Sequence, residues 1–176
     1  MLKSFTFILI FILSLTAQSA EFKTGPVIKS YGKNVVVENG LMDPEQQKFK
    51  VVFDVSKVNE QGEVNGSFNT VARFINMHVR AGVPIENIEV ALVVHGKAGF
   101  DLLTPTEYKK LFAKANKSAD LVNELFKANV DIYLCGQSAS YLGITQNMVN
   151  PEVKLALSAM TANALLQQQG YTLNPF

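Results

Sequence analysis

Tryptophan is absent and cysteine occurs once, at Cys135, in a chain of 176 residues. Without an indole, an aromatic cage for a quaternary ammonium lacks its best wall. With a single thiol, no internal disulfide can form, although an oxidising compartment favours paired thiols or none. The two histidines, His78 and His95, fall in no H-x-x-x-H pattern, and no C-x-x-C exists, so neither a metal nor a cofactor is expected. Walker loops, dinucleotide fingerprints and a serine nucleophile elbow are missing as well. So is any charge excess. Once Lys3 is removed with the leader described below, 15 basic face 15 acidic residues, which leaves no field to draw in a nucleic acid or an anionic membrane.

The leader is the first thing present. Lys3, an apolar run from Phe5 to Leu15, and Ala17-Gln18-Ser19-Ala20 form the three parts of a secretory signal over residues 1–20, cleaved near Ser19 or Ala20. The run is shorter than the roughly 20 residues of a membrane-spanning helix. The mature chain is therefore expected to be periplasmic or secreted, with no stable membrane span. About 157 residues then remain, enough for one domain.

Residues 21–47 hold Gly25-Pro26, Tyr31-Gly32, Asn39-Gly40 and Asp43-Pro44, a density of turn formers that permits only short extended pieces. This reads as an arm that covers a sheet edge, reaches a neighbouring subunit, or hangs as a loose tail. The domain proper, 48–176, opens with a strand from Lys48 to Val55. A turn around Gly62 and Gly66 leads to a helix capped by Ser67 or Asn69, whose Val71, Phe74, Ile75, His78 and Val79 share one face and which Gly82 and Pro84 close. Ile88 to Val94 is a second strand, followed by a glycine-containing loop, His95 to Gly99. Helices are expected from Pro105 to Ala115 and from Ser118 to Lys127, with Asn129 in the left-handed conformation after the second. Strand Val130 to Cys135, one or two helical turns stopped by Gly143, a marginal strand from Val153 to Leu157, a helix from Ser158 to Gly170 and a last short strand at Tyr171 to Leu173 complete the pattern. Strands alternating with helices about four times argue for a three-layer α/β/α fold with a largely parallel sheet.

Cys135 ends its strand, where ligands collect in open parallel sheets and where free N–H groups favour the thiolate. His95 ends the preceding strand and can share that rim as a proton partner, or serve as a hydrogen-bonded histidine beside a tight turn. Gly96 brings backbone close to a ligand, and Gly136, Gln137 and Ser138 supply the turn after the thiol. Asp54 and Lys97 are second-rank candidates at the same rim. His78, among apolar neighbours, reads as a core or subunit-interface histidine.

Asn69, Val93-Val94-His95-Gly96, Cys135-Gly136-Gln137-Ser138 and Leu165-Leu166-Gln167-Gln168-Gln169-Gly170-Tyr171 resemble the DsrE/DsrF-like (YchN-like) family, and the leader and arm resemble those of its exported members. The resemblance implies a five-stranded, mainly parallel sheet and assembly into a homo-oligomer, trimer or hexamer. It also implies a persulfide-bearing cysteine followed eight residues later by glycine, a spacing that Cys135 and Gly143 reproduce. Its partners would be a sulfur donor or acceptor protein, or a small sulfur compound. Phe74, Ile75 and Met77, more apolar residues than one helix face needs, agree with oligomerisation. The resulting expectation is an exported sulfur carrier, sulfurtransferase-like rather than a turnover enzyme, with catalytic Cys135 and His95. The alternative is a non-catalytic oligomeric module that binds a small ligand or a partner.

Overall fold

The structure, a computed structural model, describes residues 20–58 and 63–175. The expected signal segment, apart from Ala20, lies outside the described residues, as does Gly62. Ten regular elements follow the arm: β1 (Phe49–Val55), α1 (Gly66–Arg80), β2 (Ile88–Val94), α2 (Pro105–Phe112), α3 (Ala119–Lys127), β3 (Asp131–Cys135), α4 (Gly136–Leu142), β4 (Lys154–Ala156), α5 (Ala159–Gln168) and β5 (Thr172–Asn174). The five strands form one sheet in the order β4-β3-β2-β1-β5, and every pairing is parallel. The largely parallel sheet expected from the alternation is thus wholly parallel.

The strand order divides the helices. The chain steps from β1 through β2 and β3 to β4, then crosses back over the sheet to place β5 beyond β1. Right-handed crossovers put helices of opposite progressions on opposite faces. Val51, Phe53, Val55, Val90, Leu92, Val94, Ile132 and Leu134 accordingly pack with Phe68, Val71 and Ile75 of α1, Tyr108 of α2, Leu121 and Leu125 of α3, and Ala139 of α4. The alternate residues Val52, Ala91, Val93 and Cys135 meet Ala159, Ala162 and Leu166 of α5. Fully burying each valine, leucine or phenylalanine contributes roughly 1.5–3 kcal/mol, so the first face holds most of the core stability.

Three local details differ from the sequence reading. Asn65, not Ser67 or Asn69, caps α1, its Oδ1 accepting the Ser67 and Phe68 amides at 2.9 and 3.2 Å. Asn69, inside the helix, accepts the Gly32 amide at 2.8 Å. Beyond His95 the chain winds into a 3₁₀ stretch, Gly96–Leu102, where a plain glycine loop was expected, and α2 stops at Phe112 because Ala113 adopts the left-handed conformation.

The arm lies along α1 of its own chain. Asn76, fully buried on that helix, accepts the amides of Val27 and Ile28 at 3.1 and 2.9 Å and donates to the Ile28 and Tyr31 carbonyls, both at 2.9 Å. Arg80 donates to the Thr24 and Gly25 carbonyls and to Asn34. Gly32 packs so tightly that a β-carbon there would stand 2.4 Å from the Ala72 carbonyl carbon. Phe74 meets Phe49 and Phe53 edge-on, which occupies part of the apolar excess of α1 within the chain itself.

A buried polar knot fixes the loops at the carboxyl ends of β1 and β2. Asn65 donates to Asp101 Oδ2 at 2.7 Å and to the Lys57 carbonyl, while its own amide donates to Ser118 Oγ. Asn116 donates to the Asp101 and Leu103 carbonyls. Burial pushes the Asp101 carboxyl up to about 6, against the opposing effect of the Asn65 bond.

Candidate functional site

Cys135 is the last residue of β3 and the residue before α4, so its side chain hangs over the point where strand becomes helix. It is 5% exposed. Burial alone would push the thiol up; hydrogen bonds from the Ser138 hydroxyl and from the amides of Ser138, Ala159 and Gln137 outweigh it and hold the thiol below its ordinary value. The Ser138 amide lies 3.5 Å from Sγ. Ser138 Oγ accepts the Gly96 amide at 2.9 Å, which leaves its hydroxyl proton for the sulfur. Ala159 is available because Ser158 Oγ caps α5 through the Thr161 amide at 3.0 Å, leaving the first amide of the helix free. Two helix starts, from α4 and α5, therefore meet at one sulfur.

Gly136 makes that meeting sterically feasible. A β-carbon on it would stand 2.7 Å from the Ala156 carbonyl oxygen, so only a glycine lets the end of β4, and Ala159 beyond it, approach the thiol so closely. Gln137 donates through Nε2 to the Leu157 carbonyl at 3.3 Å, closing the same corner.

Cys135 shares a cavity of about 250 Å³ with Asp54, His95, Gln137, Ser158, Ala159, Met160 and Asn163. The parallel ladder aligns its members: Asp54 comes from the end of β1, His95 follows β2 with its amide bonded to the Val55 carbonyl at 2.9 Å, and Cys135 ends β3. Asp54 Oδ2 lies 3.0 Å from His95 Nε2, and Asp54 Oδ1 accepts Asn163 Nδ2 at 2.7 Å. The arrangement holds a thiol whose pKa its hydrogen bonds lower and, across one cavity, an imidazole whose partner carboxylate is itself anchored. Such a set of groups suits nucleophilic and proton-transfer chemistry.

Of the residues singled out in the sequence, Cys135, His95, Gln137 and Asp54 line this cavity, and Gly96, Gly136 and Ser138 shape it from behind. Lys97 does not line it and is exposed. His78 lies elsewhere, between Phe49 and Phe74 with ring centroids 4.3 and 4.1 Å away, and Nδ1 donates to the Phe74 carbonyl at 2.7 Å. Burial lowers its pKa, opposed by that bond. Asn163 was not foreseen: its role depends on a contact spanning 109 residues, and an asparagine within a helix carries no local pattern. Among the described residues no three His, Cys, Asp or Glu side chains cluster as metal ligands, and no helix is long and apolar enough to cross a membrane.

The sequence model of the DsrE/DsrF-like family matches residues 50–175. Among solved structures, the protein of unknown function MTH1491 from Methanobacterium thermoautotrophicum is similar in fold, with a TM-score of 0.50 and 18% identity over 73% of this chain and 100% of its own. No curated protein matches the chain.

Proposed function

Because the chain belongs to the DsrE/DsrF-like family, we propose that it takes up sulfane sulfur on Cys135 and passes it on as a persulfide. The observation that carries this reading is the sulfur's surroundings: amides of Gln137, Ser138 and Ala159 and the Ser138 hydroxyl converge on Sγ, in one cavity with the Asp54–His95 pair. Donors of this kind stabilise Cys–S⁻ and, after loading, the charge of Cys–S–S⁻.

In the loading step His95 takes the Cys135 proton. The thiolate attacks the outer sulfur of a donor persulfide R–S–SH, the donor's S–S bond breaks, and R–S⁻ leaves with the electron pair and receives the proton from His95. The sum is Cys–SH + R–SSH → Cys–SSH + R–SH, with no external oxidant. Unloading is the same exchange with an acceptor thiol. The protein is a carrier that cycles between two covalent states. The expected test result is a gain of one sulfur atom in intact mass after incubation with a polysulfide, absent in Cys135→Ser; a wild-type mass that never changes would end this reading.

Export to the periplasm or beyond rests on the leader pattern. Homo-oligomerisation, as trimer or hexamer, is supported by Leu155, Leu157 and Met160, exposed by 58, 73 and 80% beside the edge strand β4 and the site. Those same residues favour the second reading, an oligomeric binding module whose buried thiol is structural. A thiol that resists alkylation in the native protein and reacts after unfolding would select it.

A further inference from the structure

Asn163 stands half-buried in the second turn of α5, where its side chain gains little from the helix. Its Nδ2 donates to Asp54 Oδ1 at 2.7 Å, and its Oδ1 is buried with no hydrogen-bond partner among the described residues. The amide orientation is dictated by Asp54, since a carboxylate accepts and only the NH₂ end can face it. A buried acceptor left unpaired is a cost with no structural return, and an asparagine in a helix interior adds a second, smaller one. What both secure is the geometry of a carboxylate at the site.

Asp54 has two oxygens, and Asn163 occupies one. The other, Oδ2, is thereby turned to His95 Nε2 at 3.0 Å. A carboxylate at that nitrogen requires the imidazole proton to sit on Nε2, which leaves the lone pair on Nδ1. The cavity's other titratable group is Cys135 on β3; α5 contributes Ala159, Met160 and Asn163, none of which titrates, and exposed Lys97 is outside the lining. We propose that Asn163 is a positioning residue that, through Asp54, fixes the Nε2–H tautomer of His95 and so leaves Nδ1 as the ring's proton acceptor in the cavity shared with Cys135. The role in sulfur loading rests on the function proposed above; the tautomer does not.

The test separates the two. Long-range ¹⁵N spectra of the His95 ring should show Nε2 protonated and Nδ1 unprotonated in the neutral wild type, and a mixture of tautomers in Asn163→Ala. Thermal stability of Asn163→Ala should stay close to that of the wild type, because the lost bond to Asp54 and the removed unpaired acceptor offset each other. Its loading rate with a polysulfide at neutral pH should fall by about tenfold, as for a general base no longer held in place. The isosteric Asn163→Asp, when ionised, has no N–H to donate to Asp54 and should mix the tautomers in the same way. An unchanged tautomer in both variants would overturn the proposal. Spectra need no sulfur donor, so a Cys135 that never gains sulfur sinks the carrier reading while the ring nitrogens still judge Asn163.

Discussion

A β-carbon on Gly136 would stand 2.7 Å from the carbonyl oxygen of Ala156 and 3.3 Å from that of Leu157. Both contacts are with backbone at the end of β4, which cannot step aside without shifting Ser158 and the first amide of α5. Gly136→Ala should therefore lower stability by about 1–3 kcal/mol and also weaken the thiol's nucleophilicity, by drawing the Ala159 amide off Sγ. Denaturant unfolding and alkylation at neutral pH measure the two effects. A variant that loses stability but reacts at the wild-type rate would remove Ala159 from the thiol's environment.

The thiol should titrate below the ordinary cysteine value. Its depressed pKa means that alkylation of the native protein reaches its plateau at lower pH than a model thiol does. Ser138→Ala removes the hydroxyl donor and should move the profile upward. A wild-type profile centred at or above the free value contradicts the site's electrostatics as described.

Much of this was readable beforehand, and the reason is periodicity. The run Ile88–Val94 is apolar because both faces of β2 are covered, and its limits agree with the observed strand. Ser158 before α5, Gly143 after α4 and Asn129 at φ 59° behave as their local chemistry requires. Cys135 and His95 could be brought to one rim because neighbouring parallel strands end side by side. Asn65 was missed as a cap because Ser67 and Asn69 offered equal local signals, and the deciding bonds run to Asp101 and Ser118, far along the chain. Asn76 was missed because a polar residue amid an apolar helix face is explained only by the arm that docks on it. Local pattern reports what a residue does for its own element and is silent about what it does for another.

Asp101 makes acid a stabiliser. Its folded pKa of about 6 lies above the unfolded value near 4, so the folded state holds a proton that the unfolded state has released between these pH values. The favourable contribution is complete below pH 4 and is lost as pH rises through 6. Relative to Asp101→Asn, which still accepts from Asn65, the wild type should be less stable at pH 7.5 by about 2–3 kcal/mol and should close the gap near pH 4. Urea midpoints of both proteins at the two pH values check it.

Asn76→Ala should free the arm. Four backbone groups of residues 27–31 lose their partners, for a cost of about 3 kcal/mol. Limited proteolysis should then cut within residues 20–47 while the remaining domain stays resistant. Arm and domain disappearing together would mean that the sheet depends on the arm for folding.

Helices α1 to α4 pack on one face of the sheet; on the other, the described cover is α5, seated through Ala159, Ala162 and Leu166. Alanines bury little area, so lifting this helix costs far less than unfolding the domain. The thiol beneath it thus answers to two clocks. A small reagent entering through the cavity reacts at a rate proportional to its concentration, set by the thiolate fraction. A disulfide too bulky for the cavity should react at a rate that levels off at the opening rate of α5 however much is added. The size of reagent that can reach the buried thiol is thus tied to how firmly α5 is seated on the sheet.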